Sequence, residues 1–554
     1  MSDHHSIRAA ALMAIALLQA CGGGGGDAAP PANPPTAALA LPAGRVSSAS
    51  LVPFGCTGGS VSGNVFIDAE VEPMLARQPA DGEQWVAAWQ QDRWSNGGAR
   101  AVVSAATFDG GRNWQRTLHP FSRCGGALSG SPGDFERATD PWVDIGSDGV
   151  VHVMGMAFSG ASFTASGASA MLASRSTDGG RTYSSPQRLV ADFGAAFFND
   201  KNTLTVDATD PRFVYAVWDR LDARGDGPTL MARSINAGLS WEPAREIYRP
   251  PPPAGGAAQT IGNRIVVLSA GPDAGTLVNV FTQIDSAGAS ASNTVRVIRS
   301  IDHGLTWGAP VTVSDHRGVG TADPATGTAI RDGSIIPTMA AAPDGTLWVA
   351  WQDSRFAGGV RDGIAVSRSS DGGRSWSAPV AGNGSLAVGA FTPTLSVRAD
   401  GRVGLLYFDL RPDTSSSSTL LAAAWLATST DGLRWAETSV WNPFDMTQAP
   451  NARGLFLGDY MGLVNVGAEF VPLLVLSSTD TANRTDVYTL RITPTLAALG
   501  SPQAAAPARA QAAAPSDQAF RARRTAFTRA VMERRLPGWS QRVGLDQSPS
   551  VPPR

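Results

Sequence analysis

Carboxylates and cationic side chains recur at matching places along this sequence. Four apolar runs end in an acid followed within two residues by an arginine: Asp92-Arg93, Asp219-Arg220, Asp353-Ser354-Arg355 and Asp409-Leu410-Arg411. A guanidinium meets a carboxylate through two parallel N–H donors, so such residues suit an anionic ligand. The same pairing also makes a local brace, in which the acid takes backbone N–H groups and the arginine pairs with a neighbour. Both readings stay open at each pair. A second set stands where other runs begin: Glu70 and Glu72, Arg137 with Asp140 in "ERATDPW", Asp200-Lys201 in "FNDK", Asn263, and Asp459-Tyr460 in "LGDY". Asp200, Lys201 and Tyr460 sit in stretches that have no counterpart elsewhere in the chain, which singles them out for chemistry. Trp89, Trp218 and Trp351 precede the acid–arginine pairs and read as core.

The elements that position these residues are short strands. Runs such as "QWVAAWQQDR" from Gln84, "RFVYAVWDR" from Arg212, "TLWVAWQDSR" from Thr346 and "RVGLLYFDLR" from Arg402 mix small and β-branched residues, as strands packed on both faces do. Between them one turn returns six times. Its clearest copy is "SSDGGRSW", Ser369–Trp376, and the copies centre on Asp109, Asp178, Asn236, Asp302, Asp371 and Asp431 and close on Trp114, Tyr183, Trp241, Trp307, Trp376 and Trp435. An acid or amide beside glycines suits a tight reversal, with the side-chain oxygen taking backbone N–H groups. The last copy, "STDGLRW", is one residue short, so an altered turn is expected there.

Successive copies lie 58 to 69 residues apart. A period of that length, filled with strands, indicates a β-propeller rather than a solenoid. In a four-stranded blade the turn between the third and fourth strands lies on one face, and the starts of the first strands lie on the other. The acids and arginines therefore gather opposite the repeated turns. One more unit, Phe456 to Ile492, follows the sixth turn. The expected fold is all-β, a single propeller of seven blades with six as the alternative, its last blade completed by an N-terminal strand near Val61 to Asp68 that removes a free sheet edge.

Composition sets the outer bounds. With 554 residues, 43% of them hydrophobic, the chain can bury a large core, and its net charge of −3 indicates neither nucleic acid nor an acidic membrane as partner. Residues 1–20 read as a signal segment and 21–50, rich in Gly, Ala and Pro, as a tether. The propeller is expected over 51–495, and an Ala/Pro/Arg-rich tail over 496–554, read first as solvated or disordered, the alternative being a basic helix at Asp517 to Arg535 docked on the propeller or on an anionic glycan. "LLQAC" resembles a bacterial lipobox, which implies acylation of Cys21, and Gly22 after it resembles lipoproteins of the outer membrane. The remaining cysteines, Cys56 and Cys124, form an even pair expected as one disulfide in an exported protein. No metal-ligand spacing and no cofactor motif is present, and a monomer is expected.

The repeated turn resembles the Asp-box of the sialidase superfamily, and the region from about Cys56 to Ile492 is similar to bacterial sialidase-like propellers. That resemblance implies a hydrolase acting on an acidic glycan. It implies arginines for the sugar carboxylate, drawn from Arg93, Arg137, Arg220, Arg355 and Arg411 with Lys201. It also implies a tyrosine nucleophile, Tyr460 or Tyr407, activated by Glu70 or Glu72, and Asp140 or Asp200 as the acid. A neutral phenol attacks a centre beside a carboxylate without charge repulsion. The sequence departs from the family at its Arg-Ile-Pro signature, for which "GNRIVV" around Arg264 is a poor substitute. Two other readings stand beside the hydrolase: a polysaccharide lyase, disfavoured by the few histidines, and a non-catalytic binding propeller.

Overall fold

The repeated turns fix where the strands reverse. Asp371 accepts the backbone N–H groups of Arg374 and Ser375, while Ser369 Oγ accepts from Gly373 N. Gly372 and Gly373 stand at φ +69° and +89°, a region glycine enters without a Cβ penalty. An N–H four residues on is likewise accepted at Asp109, Asp178, Asn236 and Asp302. At the third and fourth copies the left-handed position is held by Ala237 (φ 53°) and His303 (φ 54°), which store local strain. The short sixth copy is altered, for Asp431 accepts from Leu433 and Arg434, one residue earlier than the others.

The computed structural model of the protein describes residues 44–60, 62–494, 516–535 and 538–543, all in the unit Ala37–Arg554. Its regular structure is almost all β. Antiparallel meanders of four strands start at Val65–Arg77, Arg137–Ile145, Phe197–Val206, Gly256–Val267, Thr338–Ala341 and Ala390–Val397. A last group holds Gly462–Val466, Glu469–Ser477 and Thr485–Thr489. Each first strand contacts the first strand of the next group, and Gly462–Val466 contacts both Ala390–Val397 and Val65–Arg77. The first strands thus surround one line, the axis.

The N-terminal strand beside the last group differs from the expected one. Gly44–Arg45 runs antiparallel to Thr485–Thr489, with Gly44 opposite Thr489, and Ser47 Oγ bonds Asp486 at 3.0 Å. The segment expected in that role instead opens the first meander: Val65 pairs Trp94 and Phe66 pairs Arg93, while its one ladder partner in the last group is Thr485, opposite Ala69. Val61, like Cys21 and the rest of the signal and tether up to residue 43, lies outside the described residues. The alternating pattern of Val65–Asp68 fits either place; the extra residues before it let the chain supply both strands.

Core residues lie between neighbouring meanders. Trp89, Trp218 and Trp351 are fully buried, as their positions in the sequence suggest. Cys56 and Cys124 form a disulfide with Cα atoms 5.7 Å apart, across 68 residues of sequence. Near the C-terminus, helix α1 (Asp517–Arg535) and the short α2 (Trp539–Arg542) are docked rather than solvated. Phe527, Val531, Met532 and Trp539 are buried against Leu221, Ala257, Ile261, Ile284 and Ile335, and each such side chain contributes about 1.5–3 kcal/mol. No helix among the described residues is long and apolar enough to cross a membrane.

Candidate active site

Five first strands break register partway along, at Val71/Met74, Thr139/Trp142, Asp200/Thr203, Ile261/Arg264 and Phe391/Thr394. In each break one residue takes a left-handed conformation: Glu72 (φ 55°), Asp140 (49°), Lys201 (51°), Gly262 (69°) and Thr392 (51°). Bulges of this kind re-aim a side chain, and strain of this kind gathers at functional sites. Glu72, Asp140 and Thr392 each precede a proline, which disfavours helical backbone further. The residues at which pairing resumes, among them Met74, Trp142, Thr203, Arg264 and Thr394, line one cavity.

The bulges bring Glu72, Asp140 and Lys201 together on the axis. Lys201 Nζ lies 2.6 Å from Asp459 Oδ2, 2.9 Å from Asp140 Oδ1 and 3.4 Å from Glu72 Oε1. All four side chains are buried, and Lys201 is the one lysine of the sequence. Its compact ammonium can meet three acids in three directions, which the planar fork of arginine cannot. Asp459 is delivered by a close chain crossing: Glu72 N donates to Leu457 O at 3.0 Å, and a Cβ on Gly458, at φ +150°, would stand 2.9 Å from the Glu72 backbone.

The three acids do not share one protonation state. Burial pushes Glu72 up to about 8, against the pull of Lys201. Asp140 and Asp459 are desolvated too, but Lys201 holds both below the ordinary aspartate value, aided at Asp459 by Arg331. Lys201 is desolvated as well, yet Asp140, Asp459 and Glu72 drive its proton affinity up. The nearby charges of Asp140 and Asp459 add to the effect of burial on Glu72, raising it further. Gln90 Nε2 holds Glu72 from the other side and also donates to Thr139 at 2.8 Å.

Cations flank this cluster. Arg93 and Arg331 lie over the Phe456 ring, with Cζ 4.6 and 4.4 Å from its centroid. Arg331 reaches Asp459 at 3.3 Å. Arg93 gives one hydrogen bond to Gln90, and its buried Nε and Nη2 have no protein partner. Burial and the adjacent Arg331 pull Arg93 down to about 9. Arg453 is close enough for Arg331 to depress it further. One pocket against this group is lined by Lys201, Arg331, Gly333, Ile335, Asp459 and Val531 of α1. The cavity beyond it shares Lys201 and Asp459 and adds Trp142, Arg264 and Tyr460.

The other residues singled out in the sequence are held elsewhere. Arg137 spends its donors on Ser60, Asn96, Gly97 and Ser62 and lies over Trp94. Arg220 clamps Asp192 and covers Phe197 at 3.7 Å. Arg355 is held by Asp353 and Asp315, and Arg411 by Asp409 and Glu437 above the Trp425 ring at 3.6 Å. These four are braces, because the acid two residues before, or a partner from an adjacent strand or loop, already fills the fork. Tyr407 belongs to the Arg411–Glu437 brace. Glu70 bonds Gln91 at 2.7 Å and senses Asp486, Arg45 and Asp68 rather than the axis. Asp200 turns back, its Oδ1 accepting from Lys201 N. Tyr460 reaches the cluster, but its hydroxyl donates to Pro141 O at 2.9 Å, and burial together with Glu72 holds it well above the ordinary phenol value. It is not poised as a nucleophile.

Sequence reasoning missed Arg331, and with it Arg453. Arg331 sits in a long connection whose strand Ile330–Arg331 pairs in parallel with Leu455–Phe456, a placement without local pattern. No group of three or more metal-binding side chains occurs among the described residues.

No family model and no curated protein matches the chain. Among solved structures it is similar to a protein of unknown function from Dyadobacter fermentans, at 15% identity and TM-score 0.41, covering 78% of this chain and 99% of that one. It is also similar to the Hadza microbial sialidase Hz136, at 17% identity and TM-score 0.39, covering 76% and 66%. The intramolecular trans-sialidase from Ruminococcus gnavus is similar at 14% identity and TM-score 0.39, covering 80% and 98%. With TM-scores below 0.5, these likenesses leave the chemistry to be read from the side chains themselves.

Proposed function

We propose that the chain is a sialidase-like glycan hydrolase acting on an acidic saccharide. It is a seven-bladed propeller whose last blade is completed by Gly44–Arg45, and an exported lipoprotein of the outer membrane, acylated at Cys21. The N-terminal pattern and the Cys56–Cys124 disulfide support export.

The observation that carries the reading is the cluster on Lys201. Three carboxyls meet one positive charge within 3.4 Å, which is the surrounding that an oxocarbenium-like transition state requires. Beside it Arg93, whose Nε and Nη2 have no protein partner, and Arg331 offer cationic donors for the acidic group of the sugar. Glu72 holds its proton at neutral pH and serves as general acid to the leaving oxygen. Asp459, on the pocket wall, is the carboxylate that attacks the anomeric carbon, forming a glycosyl ester and breaking the glycosidic bond. Water then cleaves the ester with Glu72, now deprotonated, as base. Carboxyls reaching one ammonium stand about 6 Å apart or less, a separation that suits retention of configuration. In this cycle Lys201 keeps Asp459 ionised as the attacking carboxylate.

The second reading is a non-catalytic binding propeller, favoured by the saturation of Lys201 with three acids. Product release from sialosides and from uronate polymers separates the two. Cleavage lost at least a thousandfold in Glu72→Gln supports the hydrolase, and cleavage of neither class by any form of the protein leaves the binding reading.

A further inference from the structure

The mouth of the axis, where the first strands begin, carries an apolar rim from different groups of strands: Leu221, Ala257, Ile261, Ile284 and Ile335. Its cover is the chain's own C-terminal segment. Phe527 lies against Gly318 and Gly320, where a Cβ at Gly320 would stand 2.8 Å from its ring. Val543 fills the space at Gly225, and Trp539 is fully buried. Polar contacts fix the register: Thr528 accepts from Asn293 at 3.0 Å, Arg523 donates to Val360 O at 3.1 Å, and Arg542 lies over Phe163 at 4.6 Å. These anchors come from four separate connections and from the strand Ser290–Ser300, all at the end of the axis opposite the repeated turns. One further side chain, Val531, lines the same pocket as Lys201, Arg331 and Asp459.

We propose that this rim is a helix-binding surface and that its occupant, residues 517–535 with 538–543 of the same chain, holds the pocket shut. The inference rests on the pocket being the ligand site. An amphipathic segment with aromatic and aliphatic anchors and a basic outer face fits such a rim. A saccharide entering from the mouth meets Val531 before Asp459, so access requires the segment to lift. An anionic polymer that attracts the arginines of α1, among them Arg521 and Arg523, is the kind of molecule that would lift it.

The test compares the full chain with a Phe527→Asp/Val531→Asp variant, whose strands are untouched. Hydrogen exchange is followed at Gly318–Gly320 and Gly333–Ile336, with acylation of Lys201, the one lysine, by acetic anhydride read by mass spectrometry. Closure predicts both at least tenfold faster in the variant, with the main melting transition retained. Rates within twofold overturn it. Faster exchange and acylation with no saccharide cleaved by either form keeps the closure and removes the hydrolase; unchanged rates with equal cleavage does the reverse.

Discussion

Replacing Lys201 by Met removes the one positive charge that three buried acids share. Breaking a buried ion pair from one side costs about 3–5 kcal/mol, because the remaining charge is left without compensation. Here the loss is softened by protonation of the acids and deepened by their number, so the same range is expected at pH 7. Unfolding entropy of about 2.1 cal/mol/K per residue over about 450 residues converts each kcal/mol into roughly 1 °C. The melting temperature should fall by about 3–5 °C. The pH dependence has a definite sign. Asp140 and Asp459 are held low by Lys201, so their contribution is present above the ordinary aspartate value and is lost as pH falls through their folded values. Glu72 is raised, so its contribution is complete below the ordinary glutamate value and is lost as pH rises toward about 8. In the variant all three acids are raised, and the deficit should shrink as pH is lowered from 7 to 4. Lys201→Arg should not restore the loss, since a planar fork cannot meet acids in three directions. Calorimetric melts at both pH values check this. A shift under 1 °C at pH 7, or a deficit that grows on acidification, would refute the reasoning.

Three further outcomes are expected. Replacing Cys56 and Cys124 by Ser opens a loop spanning 68 residues of sequence and should cost roughly 4 kcal/mol in the chain-entropy model, seen as a lower melting temperature. Arg411→Lys should lower the melting temperature while leaving saccharide binding unchanged by calorimetry, because its fork serves Asp409 and Glu437. Asp371→Ala should cost about 0.5–1.5 kcal/mol by removing the turn's hydrogen bonds to the exposed N–H groups of Arg374 and Ser375, again without effect on binding.

The strand-rich architecture was legible because its turns carry local chemistry: an acid, a glycine and an aromatic ring at fixed offsets need no tertiary partner to be recognised. The docking of α1 was not legible, since Phe527, Val531 and Trp539 gain their meaning only from a rim assembled by residues far apart in the chain, Leu221 to Ile335. At the site, Glu72, Asp140 and Lys201 stood out as charges where strands begin. What the sequence concealed was which charges converge. Arg355 and Arg411 look like ligand-binding residues by type, yet each has an acid two positions earlier that captures it. A signal did exist for the convergent set: Glu72-Pro73 and Asp140-Pro141, acids before prolines inside strands, mark bulges that turn side chains toward the axis.

The central claim is that Glu72 donates the proton, and the pH dependence of kcat/KM on a cleaved acidic saccharide tests it most directly, since that ratio reports the free enzyme's groups. An acid must carry its proton to act, so activity should fall as pH rises through about 8, where burial has placed Glu72, and Glu72→Gln should abolish turnover. A basic limb that persists unchanged in an active Glu72→Gln variant would contradict it.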